Sequence, residues 1–195
     1  MAPKKVYAYA FIHEAADPTK SVRQIVDKIA LTNPPGVIFA VDVAGAYEGF
    51  AVLEADSLAQ MQNVIADVGI WADQKVIMHE AKKGHRPAKR DTCDKLALVR
   101  IRTEQGFADK VFDTLNKWVK GKKEFHGVSL LFGDFDILFT IDATSFEEAK
   151  KLALRVGTVS GIEQVETSFA DCTAARDRVK QARRPRTRGE PQRDS

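Results

Sequence analysis

The sequence predicts an α+β fold of two tandem βαββαβ units whose sheets pack against each other, and three observations predict it. The chain matches itself when slid by 88 residues, which lays Gly45-Ala46-Tyr47-Glu48-Gly49-Phe50-Ala51-Val52-Leu53 on Gly133-Asp134-Phe135-Asp136-Ile137-Leu138-Phe139-Thr140-Ile141 without a gap. Each copy then yields the same order of elements. Finally, Phe50 to Leu53 and Ile137 to Ile141 are apolar on both strand faces, so each sheet needs cover on both sides. Helices cover one face, and the sister sheet is the natural cover for the other.

In the first copy, strands are expected at 6–12, 37–43, 49–54 and 74–79, with helices at 21–31 and 58–68. In the second, strands are expected at 95–102, 128–132, 136–141 and 162–169, with helices at 107–120 and 145–156. Val22, Ile25, Val26 and Ile29 recur on one helical face, as do Phe107, Val111, Phe112, Leu115 and Val119. Ser57 and Ser145 stand where N-caps belong, and Glu147 and Glu148 suit the positive end of the helix dipole. The first helix has two possible starts, one capped by Asp17 with Pro18 as first helical residue, the other capped by Ser21. The expected organisation is a first ferredoxin-like repeat over 1–80, a basic linker over 81–94, a second repeat over 95–172 and a basic, largely disordered tail over 173–195. Together the repeats form a pseudo-dimeric α+β sandwich or barrel.

A chain of 195 residues with 44% hydrophobic content can bury a sizeable core. It contains no apolar run near the roughly 20 residues that cross a bilayer, and its N-terminus lacks a signal peptide's apolar stretch. A cytoplasmic location without membrane contact is the resulting expectation. The net charge of +3 is uneven: residues 173–195 carry eight Lys or Arg against three acids, and the remainder is slightly acidic. A folded body of that balance does not suit a nucleic-acid groove, so contact with nucleic acid or an acidic partner is expected only at the tail, through Arg183, Arg184, Arg186 and Arg188. In a βαββαβ sheet the first and last strands are antiparallel neighbours, which places the linker's end beside the tail's start and Cys93 near Cys172. Both cysteines are expected as thiols in a reducing cytoplasm.

Gly133-Asp134-Phe135-Asp136 ahead of an apolar strand, then an acidic amphipathic helix and Gly161-Ile162-Glu163-Gln164-Val165-Glu166-Thr167, resembles the effector-binding domain of the Lrp/AsnC family. The resemblance covers about 75 residues of the second copy. No winged helix-turn-helix precedes either copy, and Ala46 stands where the second copy has Asp134. The resemblance implies a homo-oligomer that binds a small effector such as an amino acid and has a regulatory role such as transcription regulation. Carried over, the ligand site is Gly133, Asp134, Phe135 and Asp136 with Thr167 and Ser168, and Gly45, Tyr47 and Glu48 form a degenerate twin. A carboxylate can hold an ammonium group, and exposed N–H groups at a Gly turn can hold a carboxylate. The same Gly-Asp pair also reads as a plain hairpin turn.

Enzyme signals are thin. His13, His79, His85 and His126 lack metal-ligand spacing, no GxSxG elbow, GxGxxG or Walker loop occurs, and Asp134 and Asp136 flank a turn rather than facing each other. The sequence therefore leads us to expect no enzyme, no catalytic residue, no metal and no cofactor. Two alternatives stay open: a scaffold that recruits partners through the basic tail, and an α+β barrel enzyme of the monooxygenase or haem type, the latter by analogy of fold alone.

Overall fold

The structure is a computed structural model that describes residues 5–12, 21–72, 76–84, 94–121 and 123–182, with side chains for all of these except 67–84. The first half runs β1 (Val6–Ile12), α1 (Val22–Thr32), β2 (Val37–Asp42), β3 (Gly49–Ala55), α2 (Leu58–Ala72) and β4 (Val76–Gly84). The second runs β5 (Lys95–Thr103), α3 (Ala108–Gly121), β6 (Phe125–Leu131), β7 (Ile137–Ala143), α4 (Phe146–Val156) and β8 (Ile162–Asp171), followed by α5 (Cys172–Ala182).

Local chemistry accounts for the helix ends. Ser21 rather than Asp17 caps α1, since its Oγ accepts from the Gln24 N–H while the Ser21 N–H donates to Gln24 Oε1, a reciprocal capping box. Ser145 caps α4 by accepting from the Glu148 N–H, and the Glu148 carboxylate accepts from Thr144 N–H and Oγ1. These bonds hold the Glu148 carboxyl below its usual range.

All neighbouring strands are antiparallel, and the sheet order is β2-β3-β1-β4-β6-β7-β5-β8. Within each half the first and last strands are neighbours, as expected. The halves join at one seam where β4 pairs with β6 from Ala81–Leu131 to Gly84–Ser129. At the other seam β2 and β8 meet in a single bridge, Ala44 to Phe169. The curled eight-stranded sheet belongs to the α+β barrel class. Helices pack outside it: Val22, Val26 and Ile29 of α1 bury against Ala10, Ala51 and Leu53, and Val111, Phe112 and Leu115 of α3 against Val99, Phe139 and Ile141. The opposite strand faces meet inside, where Tyr9, Phe11, Phe39, Phe50 and Val52 of the first half pack on Leu96, Leu98 and Leu138 of the second. Each such side chain contributes roughly 1.5–3 kcal/mol of burial. Tyr9 Oη and Ser129 Oγ lie 2.6 Å apart in this interior, a hydrogen bond between halves that satisfies both hydroxyls. Burial pushes the Tyr9 phenol up to about 12.

Three expectations are corrected. Strand β4 does not stop at 79 but runs through Gly84, so the first residues assigned to a linker are ladder-bonded to β6. The segment from 173 does not begin as a disordered tail: α5 buries Cys172, Ala175 and Val179, an i, i+3, i+7 stripe hidden among charged neighbours. Arg178 of α5 donates from Nε to Asp27 of α1 at 2.9 Å and from Nη2 to Asp42 of β2, tying the end of the second half to the first. Cys172 is disulfide-bonded rather than a thiol. Cys93, the chain's other cysteine, lies outside the described residues, but Asp94 beside it accepts from the Cys172 N–H at 3.0 Å, so linker end and tail start are indeed adjacent. The Arg183, Arg184, Arg186 and Arg188 cluster also lies outside the described residues.

Candidate functional site

The two Gly turns lead to one place, the guanidinium of Arg100. In the β2–β3 turn, Ala44 exchanges both backbone hydrogen bonds with Phe169, at 2.7 and 2.8 Å. Gly45, at φ 143, presses on β8: a Cβ there would sit 2.8 Å from both Ser168 Oγ and the Thr167 carbonyl oxygen. Thr167 and Ser168 therefore stand beside Gly45, not in a cluster with the Gly133 turn. In the β6–β7 turn, the Asp136 N–H donates to Ile101 O at 3.0 Å, and Asp136 Oδ2 accepts from Thr103 N–H and Oγ1 at 2.7 and 2.9 Å. Asp136 fastens this turn to β5. Asp134 is exposed, and its carbonyl accepts from Arg102 Nε at 3.1 Å. Glu48, also exposed, lines a cleft of about 330 Å³ with Ser21, Val22, Arg23, Asp42 and Val43.

What the turns share is Arg100. Tyr47 from one turn and Phe135 from the other lie over its guanidinium, at 3.9 and 4.3 Å from ring centroid to Cζ, and Phe11 is third at 5.1 Å. Arg100 Nη1 donates to the Tyr47 hydroxyl and Nη2 to Glu166 Oε2. The Arg100 side chain is 3% exposed, whereas that of Glu166 is 31% exposed, so the carboxylate marks the side on which the buried cation meets solvent. Gln164 Nε2 donates to the other Glu166 oxygen at 3.1 Å. Arg102, two residues on and hence on the same strand face, lies 5.4 Å over Phe135.

The pairing register shows what is unusual here. Arg100 stands opposite Glu166 across β5 and β8, and the corresponding positions across β1 and β4 are Phe11 and Ile77. One half thus places an apolar pair where the other places a largely buried ion pair. Well-packed apolar residues would stabilise the fold at least as well, because desolvating two charges costs several kcal/mol. Sequence reading missed Arg100, Glu166 and Phe11; the available signal was an arginine between Val99 and Ile101 in an otherwise apolar strand.

A second titratable group lies at the start of β5. Asp94 Oδ1 accepts from Thr173 Oγ1 at 3.2 Å and Arg176 Nη2 at 3.1 Å. Burial pushes the nearby Asp142 carboxyl up and the His126 imidazole down, and their mutual attraction opposes both shifts. Among the described residues no cluster of three His, Cys, Asp or Glu could hold a metal ion.

No family model matches the chain, and no curated protein matches it. Solved structures do share its fold. The siroheme decarboxylase NirDL superposes with a TM-score of 0.58 at 7% identity over 92% of this chain and 80% of that one. Chlorite dismutase from Candidatus Nitrospira defluvii gives 0.55 at 8% identity over 92% and 96%. An Lrp/AsnC-like regulator, FFRP-DM1, matches 39% of this chain at 14% identity with a TM-score of 0.35. Such identities show a fold and no more. The expectation that the chain is not an enzyme is corrected to this extent: a decarboxylase and a dismutase superpose on nearly its whole length, so the fold gives no ground for excluding an enzyme.

A tetrapyrrole, which NirDL was crystallised with as an iron-uroporphyrin III analogue, needs an apolar slot and an axial ligand. Among the described residues the space between the sheets is filled by Tyr9, Phe11, Phe39 and Phe50, and the layer under α3 and α4 by Phe112, Leu115, Phe125 and Phe139. His126, the histidine whose side chain is described, is half-buried beside Asp142 rather than facing an open slot. The side chains of His13, His79 and His85 lie outside the described residues, and among those described no axial ligand faces the apolar slot that a tetrapyrrole would need. Among them, too, no helix is long and apolar enough to cross a membrane.

Proposed function

We propose that this chain is a duplicated ferredoxin-like module that binds a small molecule, amino-acid-like in chemistry, where its two Gly turns converge on Arg100. The observation that carries this reading is the Arg100–Glu166 pair, a largely buried charge pair at a position where the other half keeps Phe11 and Ile77. Charge kept inside a core at a cost in stability is characteristic of sites that recognise a ligand. Around it stand Tyr47 and Phe135 as aromatic walls and Ser168 and Thr167 against the Gly45 turn; the exposed Asp134, whose carbonyl holds Arg102, and Glu48, which lines the neighbouring cleft with Ser21 and Arg23, supply carboxylates beyond these walls for an ammonium group. Asp136 and Gly133 shape the turn. The module works as a homo-oligomer in a regulatory role, and the 183–195 segment recruits an acidic partner or nucleic acid.

The test is the thermal midpoint against a panel of the twenty amino acids and common nucleotides. Saturation at about 100 times the dissociation constant adds about 2.7 kcal/mol, a rise of roughly 5–10 °C for a chain of this length. The rise should disappear in Tyr47→Ala and Phe135→Ala and survive deletion of residues 183–195. Mass spectrometry of the bound compound after incubation separates binding from turnover. A flat panel would refute the reading.

A further inference from the structure

We propose that the Arg100 cluster is a carboxylate-exchange site: Glu166 is its built-in occupant, and a small organic carboxylate from solution takes its place on the Arg100 guanidinium. The inference rests on the binding reading above and specifies which chemical group the site takes. Three rings stand within 5.1 Å of the guanidinium carbon, so what remains for recognition is the N–H edge, and that edge is spent on the Tyr47 hydroxyl and one carboxylate oxygen. A planar guanidinium edge matches a planar carboxylate better than it matches a ring face or a neutral group. Phe11, Tyr47 and Phe135 are buried, which leaves Glu166 as the partly exposed member of the cluster and the one that can swing away without opening the core.

Charge supplies an independent reason. Arg100 and Arg102 lie on the same face of β5 and both contact the Phe135 ring. Arg102 donates to a neutral carbonyl, that of Asp134, and has no carboxylate within ion-pair distance among the described residues. Arg102 thus adds a second cation beside Phe135 with no carboxylate of its own among the described residues, and an incoming anion is attracted even while Glu166 is in place. When the exchange occurs, Glu166 moves into solvent along the exposed start of β8, where Gln164 already holds its second oxygen. No covalent bond changes.

The experiment titrates the full chain with benzoate, its neutral analogue benzamide, and inorganic phosphate, in wild type, Glu166→Gln and Gln164→Ala. Glu166→Gln removes the internal competitor and keeps the side chain's shape; Gln164→Ala changes an exposed residue and only loosens Glu166, so it folds even if the first variant does not. A tethered carboxylate competes at an effective concentration of about millimolar or above, so benzoate affinity should rise at least about tenfold in Glu166→Gln and a few-fold in Gln164→Ala. Benzamide should be unaffected. Phosphate binding that rises in parallel with benzoate would overturn the carboxylate assignment in favour of a general anion site. A panel ligand that binds wild type and Glu166→Gln equally would leave the binding reading standing and overturn exchange. Absence of any benzoate gain in both variants would overturn it as well.

Discussion

Replacing Gly45 by alanine tests whether the first half's turn really closes on β8. At φ 143 the residue occupies a backbone region that is almost confined to glycine, at a cost of about 1–3 kcal/mol for any side chain. The added methyl would lie 2.8 Å from Ser168 Oγ and the Thr167 carbonyl oxygen and 2.9 Å from Ser168 Cα, well inside van der Waals contact. Two of these three atoms are backbone held in the β5–β8 ladder opposite Val99 and Leu98, so the strand must shift to relieve the clash. Overpacking of this kind costs roughly 1–3 kcal/mol, giving about 2–6 kcal/mol in all. Gly106 supplies the control, because it too has positive φ, at 83, yet an added Cβ meets nothing within 4 Å. Gly106→Ala should cost only about 1–2 kcal/mol of backbone strain. Urea unfolding of the two variants beside wild type measures the difference, and the thermal midpoint should fall about 5–15 °C for Gly45→Ala against about 2–6 °C for Gly106→Ala. Equal losses would mean that the turn does not press on Thr167 and Ser168, and the convergence on Arg100 would fall with it.

Tyr9 should stay un-ionised until about pH 12, visible as one tyrosine missing from the phenolate absorbance titration below that point. Because its folded pKa is raised, its contribution to stability is complete below about pH 10 and is lost as pH rises toward 12, an effect of order 3 kcal/mol; Tyr9→Phe should flatten that alkaline slope while losing about 1 kcal/mol at neutral pH with the Ser129 bond. Arg178→Met leaves Asp27 partly buried without its cation and Asp42 with Arg23 alone, and should cost about 1–3 kcal/mol, read as faster tryptic cleavage within 172–182; an unchanged cleavage rate would show that α5 docks through Ala175 and Val179 alone. Reduction of the disulfide at Cys172 should lower stability by about 2–4 kcal/mol, measured as a midpoint shift on adding dithiothreitol. No shift would mean that the cysteines are thiols in solution.

Much of the architecture was legible because it is written at short range. Positions 6–12 and 49–54 are apolar in runs too short for helices, and the Ser21 and Ser145 caps with Gln24 and Glu148 three residues on are local signatures. Helix α5 was not legible, since its three buried residues, Cys172, Ala175 and Val179, are small or isolated among four charged ones. The site was half legible. The turns carried Tyr47 and Phe135 into view, but the sequence could not say that both point to the same guanidinium, because that depends on how one sheet is laid over the other.

The two halves depart from internal symmetry at Arg100 for a physical reason. Equivalent turns on a two-fold-related pair of sheets approach each other near the axis, so Tyr47 and Phe135 come to bracket shared space instead of building separate pockets. A side chain from the interior face of β1 or β5 must fill that space. Phe11 from one and Arg100 from the other meet there at 5.1 Å, and a second arginine in place of Phe11 would set two cations against each other with one carboxylate between them. The asymmetry is therefore enforced by electrostatics: a pseudo-two-fold interior can hold one buried guanidinium, and whichever half carries it must also carry its carboxylate on the neighbouring strand. That is why Glu166 lies on β8 and Ile77 on β4 in a molecule built from two similar halves.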